Sequence, residues 1–363
     1  MSERILAACS PGEVRVAVVR DGALLDYAIW RPGAPDGVGD LLCGRVMSRV
    51  RAMAGSFVAL DGTEGFLPDS EGGAGLREGD SVPVRVTRAA QGGKGPRLTA
   101  RLAADEIPPA HGAGPLVELA GRYPAAPVLL DDNALAGRLE PALGHRVSSV
   151  ARAFDDATEE QVEALAQPDV QAGSHIRLHI HPTPALVAID VDAGSAVAVR
   201  QGKAASHMAA NLAALPAVAR QIRLRNLSGA IMIDFAGLAA RRRSSLAPGL
   251  HAALAEDPLH PRLLGFTALG LAEIVRARVH PPLHELLAGP HAAGLAALRR
   301  IAAEVAAPPH RMPVLRASPS VVRALEDDPA ALLDLAHRAG RGLMLRPDPR
   351  LPETAWSIEE NDG

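Results

Sequence analysis

Two short apolar runs, each closed by an acid, mark the middle of the chain. ALVAID ends at Asp190, with Asp192 two residues on, and GAIMID ends at Asp234, just before Phe235. Both are β-branched and without polar alternation, the pattern of buried parallel-type strands. Residues 204–225 between them carry a helical pattern. Strand, helix, strand predicts a right-handed crossover that sets the two strands parallel in one sheet, adjacent or nearly so. Asp190 and Asp234 then meet at the carboxyl edge, where open α/β sheets bind ligands.

The pattern elsewhere predicts a multi-domain α/β protein. Residues 1–39 read as a hairpin or meander, with a turn at Asp21-Gly22. Residues 40–103 are a run of short strands punctuated at regular spacing by Gly and Asp, which suggests a five-stranded OB barrel. Residues 104–123 are rich in Pro, Gly and Ala and read as a linker. Residues 124–172 form an α/β piece too small to close its own core. It is expected to complete the N-terminal strands, with the barrel inserted between the halves. Residues 173–287 hold the acidic pair. Residues 288–363 read as a small α/β tail, in which Ser318 caps a helix with Pro319 at its first position. The closing SIEENDG reads as a frayed acidic end.

Composition narrows the function classes. A chain of 363 residues allows two or three domains. The net charge is −3 and the pI near 6.5, so nothing global announces a nucleic-acid partner. The charge is uneven, however: residues 173–287 carry twelve Lys/Arg against seven acids, a local excess of five around the acidic pair. A polyanionic substrate needs such a surround. Only Cys9 and Cys43 are present, with no C-x-x-C, so neither a thiolate zinc site nor a disulfide framework is expected. No apolar run approaches the ~20 residues of a membrane span, and the N-terminus lacks a signal-peptide pattern. A cytoplasmic location without membrane contact is the expectation.

The candidate chemistry centres on the acids. Asp190 and Asp234, with Asp192 alongside, could hold Mg²⁺, which takes one or two carboxylates and keeps waters for a phosphate. Acids at strand ends also cap loops, and that alternative stays open. His175, His179 and His181 share one face of a strand, read as a solvated or substrate-facing surface because no fourth metal ligand is evident. The helix carries Asn211 and then Arg220, Arg223 and Arg225, either phosphate contacts or a solvated helix end. Arg241, Arg242 and Arg243 open a helix where cations oppose the dipole, which fits phosphate binding, with a solvated face as the alternative.

Two resemblances sharpen this picture. GRV…GSFVALDG…EGFLPDSE…LREGDSVPVRV resembles the RNA-binding OB module of ribosomal protein S-one. Phe57 and Phe66 fall at its base-stacking positions and Lys94 in its basic loop, although two Phe in a small barrel can also be core. The whole chain resembles the RNase E/G family of endoribonucleases, most specifically from AIDVDAG through VARQIRLRNLSGAIMIDF. The resemblance implies RNase H-like half-domains (1–39 and 124–172), the inserted OB barrel (40–103), a DNase I-like catalytic subdomain (173–287) and a small C-terminal domain (288–363). It further implies hydrolysis of single-stranded, often AU-rich RNA to 5′-phosphate and 3′-hydroxyl ends, in rRNA processing or mRNA decay. The family's metal-binding acids fall on Asp190 and Asp234, and its third catalytic polar position on Asp192. Mg²⁺ is then the expected ion, with Mn²⁺ as a substitute and no zinc. RNA contacts are expected from Phe57, Phe66, Lys94, Arg200, Asn211, Arg223 and Arg241.

The chain departs from the family at several positions. Asp192 stands where Asn is usual, Gly237 where a second acid follows the strand, and Ala268 where an arginine is usual. Acids are missing around Ser206 and His207. Between Arg101 and Pro127 there is no room for the family's 5′-phosphate sensor domain, and the C-x-x-C zinc link is absent. A short form without a preference for 5′-monophosphorylated RNA is therefore expected. A zinc-linked tetramer is not expected, and a homodimer stays open. The departures keep alive a second reading, a catalytically impaired RNA-binding relative. A third, a phosphoesterase acting on something other than RNA, fits the OB module less well.

Overall fold

The computed structural model describes residues 3–103, 114–173, 175–193, 203–306 and 312–360. Arg200 lies outside them.

The chain opens on a meander of three strands, β1 (Glu3–Ser10), β2 (Glu13–Arg20) and β3 (Ala23–Trp30). Asp21 and Gly22 both take positive φ, 50° and 82°, the backbone that a two-residue hairpin turn requires. β2 is buried from Glu13 through Val19 rather than on one face only. Its apolar side chains Val14, Val16 and Val18 pack with helix α1 (Gly114–Arg122). Glu13 is buried and accepts from Arg31 and from Arg299 of a later helix.

Next comes a closed barrel of five strands: β4 (Leu41–Val50), β5 (Gly55–Leu60), β6 (Thr63–Pro68), β7 (Ser81–Arg88) and β8 (Arg97–Thr99). The order is β4-β5-β6-β8-β7, and β7 pairs back to β4, which is compatible with an OB-like domain. Val46, Val58, Leu67, Val82, Val84 and Leu98 belong to its core. After α1 follow β9 (Val128–Leu130), α2 (Asn133–Leu143), β10 (Val147–Ser149) and α3 (Asp156–Ala164). β9 lies parallel to β1 and β10 parallel to β9, giving a sheet of order β10-β9-β1-β2-β3.

A six-stranded sheet holds the acids. It comprises β11 (Asp169–Gln171), β12 (Ile176–Pro182), β13 (Val187–Ala193), β14 (Gly229–Phe235), β15 (Arg262–Phe266) and β16 (Ala272–Arg276), in the order β11-β12-β13-β14-β16-β15. Helix α4 (Lys203–Leu224) links β13 to β14, and the short α5 (Ala240–Arg243) and α6 (Ala247–Leu254) link β14 to β15. The chain closes with α7 (Leu283–Leu286), α8 (Gly289–Ala306), β17 (Val314–Ala317), α9 (Pro319–Glu326), α10 (Pro329–Ala339), β18 (Met344–Pro347) and β19 (Trp356–Glu359). The Ser318 hydroxyl accepts from Val321 N and caps α9 as the Ser-Pro-Ser pattern predicts. The last segment is not frayed through Glu359, because Trp356–Glu359 pairs antiparallel with β17.

Two compact units result. One gathers Met1–Pro35, Ala113–Glu159 and His284–Gly363, the other Asp36–Gly112 and Glu160–Leu283. The barrel and the six-stranded sheet therefore share a unit. Among the described residues no helix is long and apolar enough to cross a membrane.

Candidate active site

β13 and β14 are parallel neighbours, and Asp190 and Asp234 are direct register partners. Adjacent strands lie about 4.8 Å apart, so the two carboxylates stand side by side. The sequence pattern implied burial on both faces, but the sheet is mixed and only one face is covered. Ile189 and Val191 of β13, with Ile231, Ile233 and Phe235 of β14, pack under α4 and α6. The alternate residues Asp190, Asp192 and Asp234 are exposed on the other face. Apolar Ala188 and Met232 on that open face disguised the alternation.

The register extends the row of acids. His179 on β12 is opposite Asp190, and Asp169 on β11 is opposite His179. The His179 Nδ1 lies 2.7 Å from Asp169 Oδ1, so this imidazole is held from the side away from the acidic pair. Arg177 stands opposite Asp192. Glu273 on β16 shares the open face, opposite Met232. The row Asp169, His179, Asp190, Asp234 thus crosses four strands.

Arg243 reaches the pair from α5. Its Nη1 donates to Asp234 Oδ1, and its Nε donates to Leu238 O at 2.9 Å. Gly270 makes room, since a Cβ there, at φ 86°, would fall 2.8 Å from Arg243 Cδ. The basic run was legible in the sequence, but which of its members faces the acid was not. Arg241 is exposed, and no contact to the acids is found for it among the described residues.

Two expected RNA contacts take other places. Asn211 is completely buried. Its Nδ2 donates to His207 O (2.8 Å) and Ala236 O (2.9 Å), and its Oδ1 accepts from Ala236 N at 3.1 Å. It ties α4 to the segment just after Asp234 and cannot touch RNA directly. One turn earlier the His207 ring lies against Gly237, where a Cβ at φ 60° would come within 2.5 Å of it. An imidazole and a bare glycine thus meet where the family pattern places acids.

Arg223 sits near the end of α4, and α4 runs back against the strands. That end lies at their amino edge, opposite the acidic pair, where Arg223 Nη1 faces Glu256 at 3.8 Å. Arg225, just beyond the helix, is buried and donates to Gln221 Oε1 at 2.8 Å, and burial pulls its guanidinium down to about 10. Arg220 and Arg223 are i,i+3 neighbours on α4, but the helix direction excludes phosphate contacts beside Asp190.

On the barrel, Phe57 and Phe66 are register partners with ring centroids 5.5 Å apart in an edge-to-face arrangement. Both are half-exposed, while their neighbours Val58 and Leu67 fill the core. They are surface rings, not core rings. The same outer row continues to Arg97 on β8 and Arg88 on β7. Lys94 is exposed in a tight loop closed by Gln91–Lys94 backbone bonds. Arg97 went unnoticed in the sequence because its strand is three residues long.

The site is therefore an acid-bearing open sheet face built with a barrel whose outer wall is aromatic and basic. The sequence model of the Ribonuclease E/G family matches residues 135–279, from α2 to just past β16. Ribonuclease E of Nostoc sp. is 36% identical over 117 residues, covering 32% of this chain and 17% of that protein. Ribonuclease G of Escherichia coli K12 is 34% identical over 121 residues, 33% of this chain and 24% of that protein. Ribonuclease G of Salmonella typhimurium is 31% identical over 145 residues, 40% and 29% respectively. Each match spans less than a third of the relative's length. Through this region the chain is similar to the Ribonuclease E/G family.

Proposed function

We propose that the chain is a metal-dependent endoribonuclease that cuts single-stranded RNA to 5′-phosphate and 3′-hydroxyl ends. The observation that carries this reading is the Asp190–Asp234 register pair on the open face, inside the family-matched region. The donor set suits Mg²⁺, with Mn²⁺ as a substitute: two hard carboxylates side by side, with space for waters. Among the described residues no three His, Cys, Asp or Glu side chains converge to hold an ion unaided, so the remaining ligands would be water and the RNA phosphate. When bound, the metal would supply charge neutralisation and an activated water.

The chain's own residues do the rest. Asp190 and Asp234 hold the ion. Asp192, two residues along and on the same face, orients water. Arg243, already on Asp234, lies where it can bind a phosphate oxygen as charge builds in the transition state. Phe57 and Phe66 stack bases, and Lys94 tracks the backbone.

The test is Mg²⁺-dependent cleavage of a labelled AU-rich single strand by the wild type, Asp190→Asn and Asp234→Asn. Cutting by the wild type that both variants abolish is the expected result. A wild type that binds this RNA and never cuts it would leave the second reading, an RNA-binding relative without turnover. That alternative draws on the His207–Gly237 pair where the family pattern carries acids.

A further inference from the structure

We propose that Arg88, Arg97 and Arg278 form a phosphate-binding site at the seam between the barrel and the six-stranded sheet, occupied by a backbone phosphate of the RNA. The inference rests on the RNA-binding part of the reading above and names a site separate from the acidic pair.

The seam is fixed by backbone. Ala89 N, one residue past β7, donates to Val279 O at 2.8 Å, and Gln91 Nε2 reaches the same oxygen at 3.4 Å. Arg88 and Arg278 each directly precede a partner in that bond, so their side chains start from adjoining backbone. Arg97 is the cross-strand partner of Arg88. The Arg278 guanidinium lies over Gly229, where a Cβ would fall 2.5 Å from Nη2. Arg97 and Arg278 are exposed and Arg88 is half-buried.

Three like charges are thus gathered without compensation. Among the described residues no carboxylate pairs with any of them, and Arg88 Nε is buried without a hydrogen-bond partner. Burial, then the charges of Arg97 and Arg278, push the Arg88 guanidinium below its usual value. A fold gains nothing from such repulsion on its own, and a bound anion relieves it. The neighbouring surface says which anion. Phe66 is the register partner of Arg97, and Phe57 lies beyond it. Rings followed by guanidiniums along one row suit a strand whose bases stack while its phosphates are paired.

Placement separates this phosphate from the scissile one. Gly229 and Asp234 stand at opposite ends of β14, about 17 Å apart at ~3.3 Å per residue. The seam would grip the RNA away from the cut, and grip both modules at once.

The experiment measures binding of a labelled single-stranded 12-mer to the full chain in EDTA, across a range of KCl concentrations. Arg97→Gln and Arg278→Gln are each expected to weaken binding about tenfold, with a salt slope shallower by about 0.7. Oligonucleotides carrying one neutral methylphosphonate locate the contact. Wild-type binding should fall at one linkage, and both variants should be indifferent to neutralising that same linkage. Melting temperatures unchanged or raised would show the variants folded, and Arg97→Lys should recover part of the affinity. Wild-type binding by both variants, or losses that map to different linkages, would overturn the site. RNA bound but never cut would sink the nuclease reading and leave the seam standing. RNA cut, with the variants binding like wild type, would sink the seam alone.

Discussion

At the scale of single residues, the Arg243–Asp234 ion pair would, on the proposed function, act in opposite senses on cation binding and on phosphate turnover. A guanidinium beside the carboxylate opposes a divalent ion there, yet in the proposed reaction it would face the place where negative charge grows. Arg243→Gln is therefore expected to lower the Mg²⁺ concentration for half-maximal activity while cutting kcat by about 10²-fold. A metal titration of the variant checks both limbs. A fall in thermal stability with neither limb moved would reduce Arg243 to a structural tie. The two cysteines differ as sharply. Burial, reinforced by Asp131 and Asp132, holds the Cys9 thiol far above its usual range, so it stays protonated and inert. Cys43 is exposed. A thiol reagent at mildly alkaline pH should modify one cysteine in the folded chain, and Cys43→Ser should abolish that reaction until denaturant is added. Labelling of Cys9 in the native protein would contradict its burial.

At the scale of elements, α4 does different work at its two ends. Its first turns reach the acid-bearing edge, where Asn211 satisfies both backbone groups of Ala236. Asn211→Ala leaves those groups unpaired beneath the sheet and is expected to cost about 1–3 kcal/mol in urea denaturation. RNA affinity should stay unchanged, because the side chain is inside the protein. A loss of affinity with stability intact would restore the direct RNA contact that the sequence suggested. This helix also shows what was legible beforehand. The strand–helix–strand pattern was strong enough to foresee that Asp190 and Asp234 meet, because short apolar runs flanking a long helical one allow few topologies. The fate of Arg223 was foreseeable too, since a crossover helix must run back and carry its final turn to the opposite edge. Other features were hidden by their physics. Ala188 and Met232 made an open face read as a closed one. β19 forms only by pairing with β17, some forty residues earlier in the chain, and no local pattern announces such a partner. Asn and His at helical positions do not reveal whether they point to solvent or clamp a loop.

At the scale of the molecule, the barrel and the six-stranded sheet are tied at more than one point within their unit. Besides the seam at Val279, His280 Nδ1 lies 2.6 Å from Asp36 Oδ2, joining the loop that leads into the barrel to the loop that leaves the sheet. Burial raises the Asp36 pKa, but the His280 hydrogen bond and charge, with Val38 N–H, outweigh it and leave the group below its usual range. The sign follows directly. A carboxylate depressed in the folded state adds stability above its unfolded value of ~3.9, and that stability is lost as pH falls through the folded value. Asp36→Asn should flatten the acid limb of the stability curve and leave the neutral plateau lower, and an unchanged limb would assign acid sensitivity elsewhere. The same unit bears on how RNA ends are treated. Fourteen residues separate the end of β8 from the start of α1, too few for a further folded domain. On the proposed function, such a chain would grip RNA along the strand, through rings and guanidiniums that are indifferent to a terminus. It should cut a 5′-hydroxyl and a 5′-monophosphate form of one oligonucleotide at the same rate, under single-turnover conditions with the oligonucleotide ends far from the cut. Faster cutting of the monophosphate would mean that a cluster already present, the seam arginines first among them, reads the end as well as the backbone. Arg97→Gln would then erase the difference.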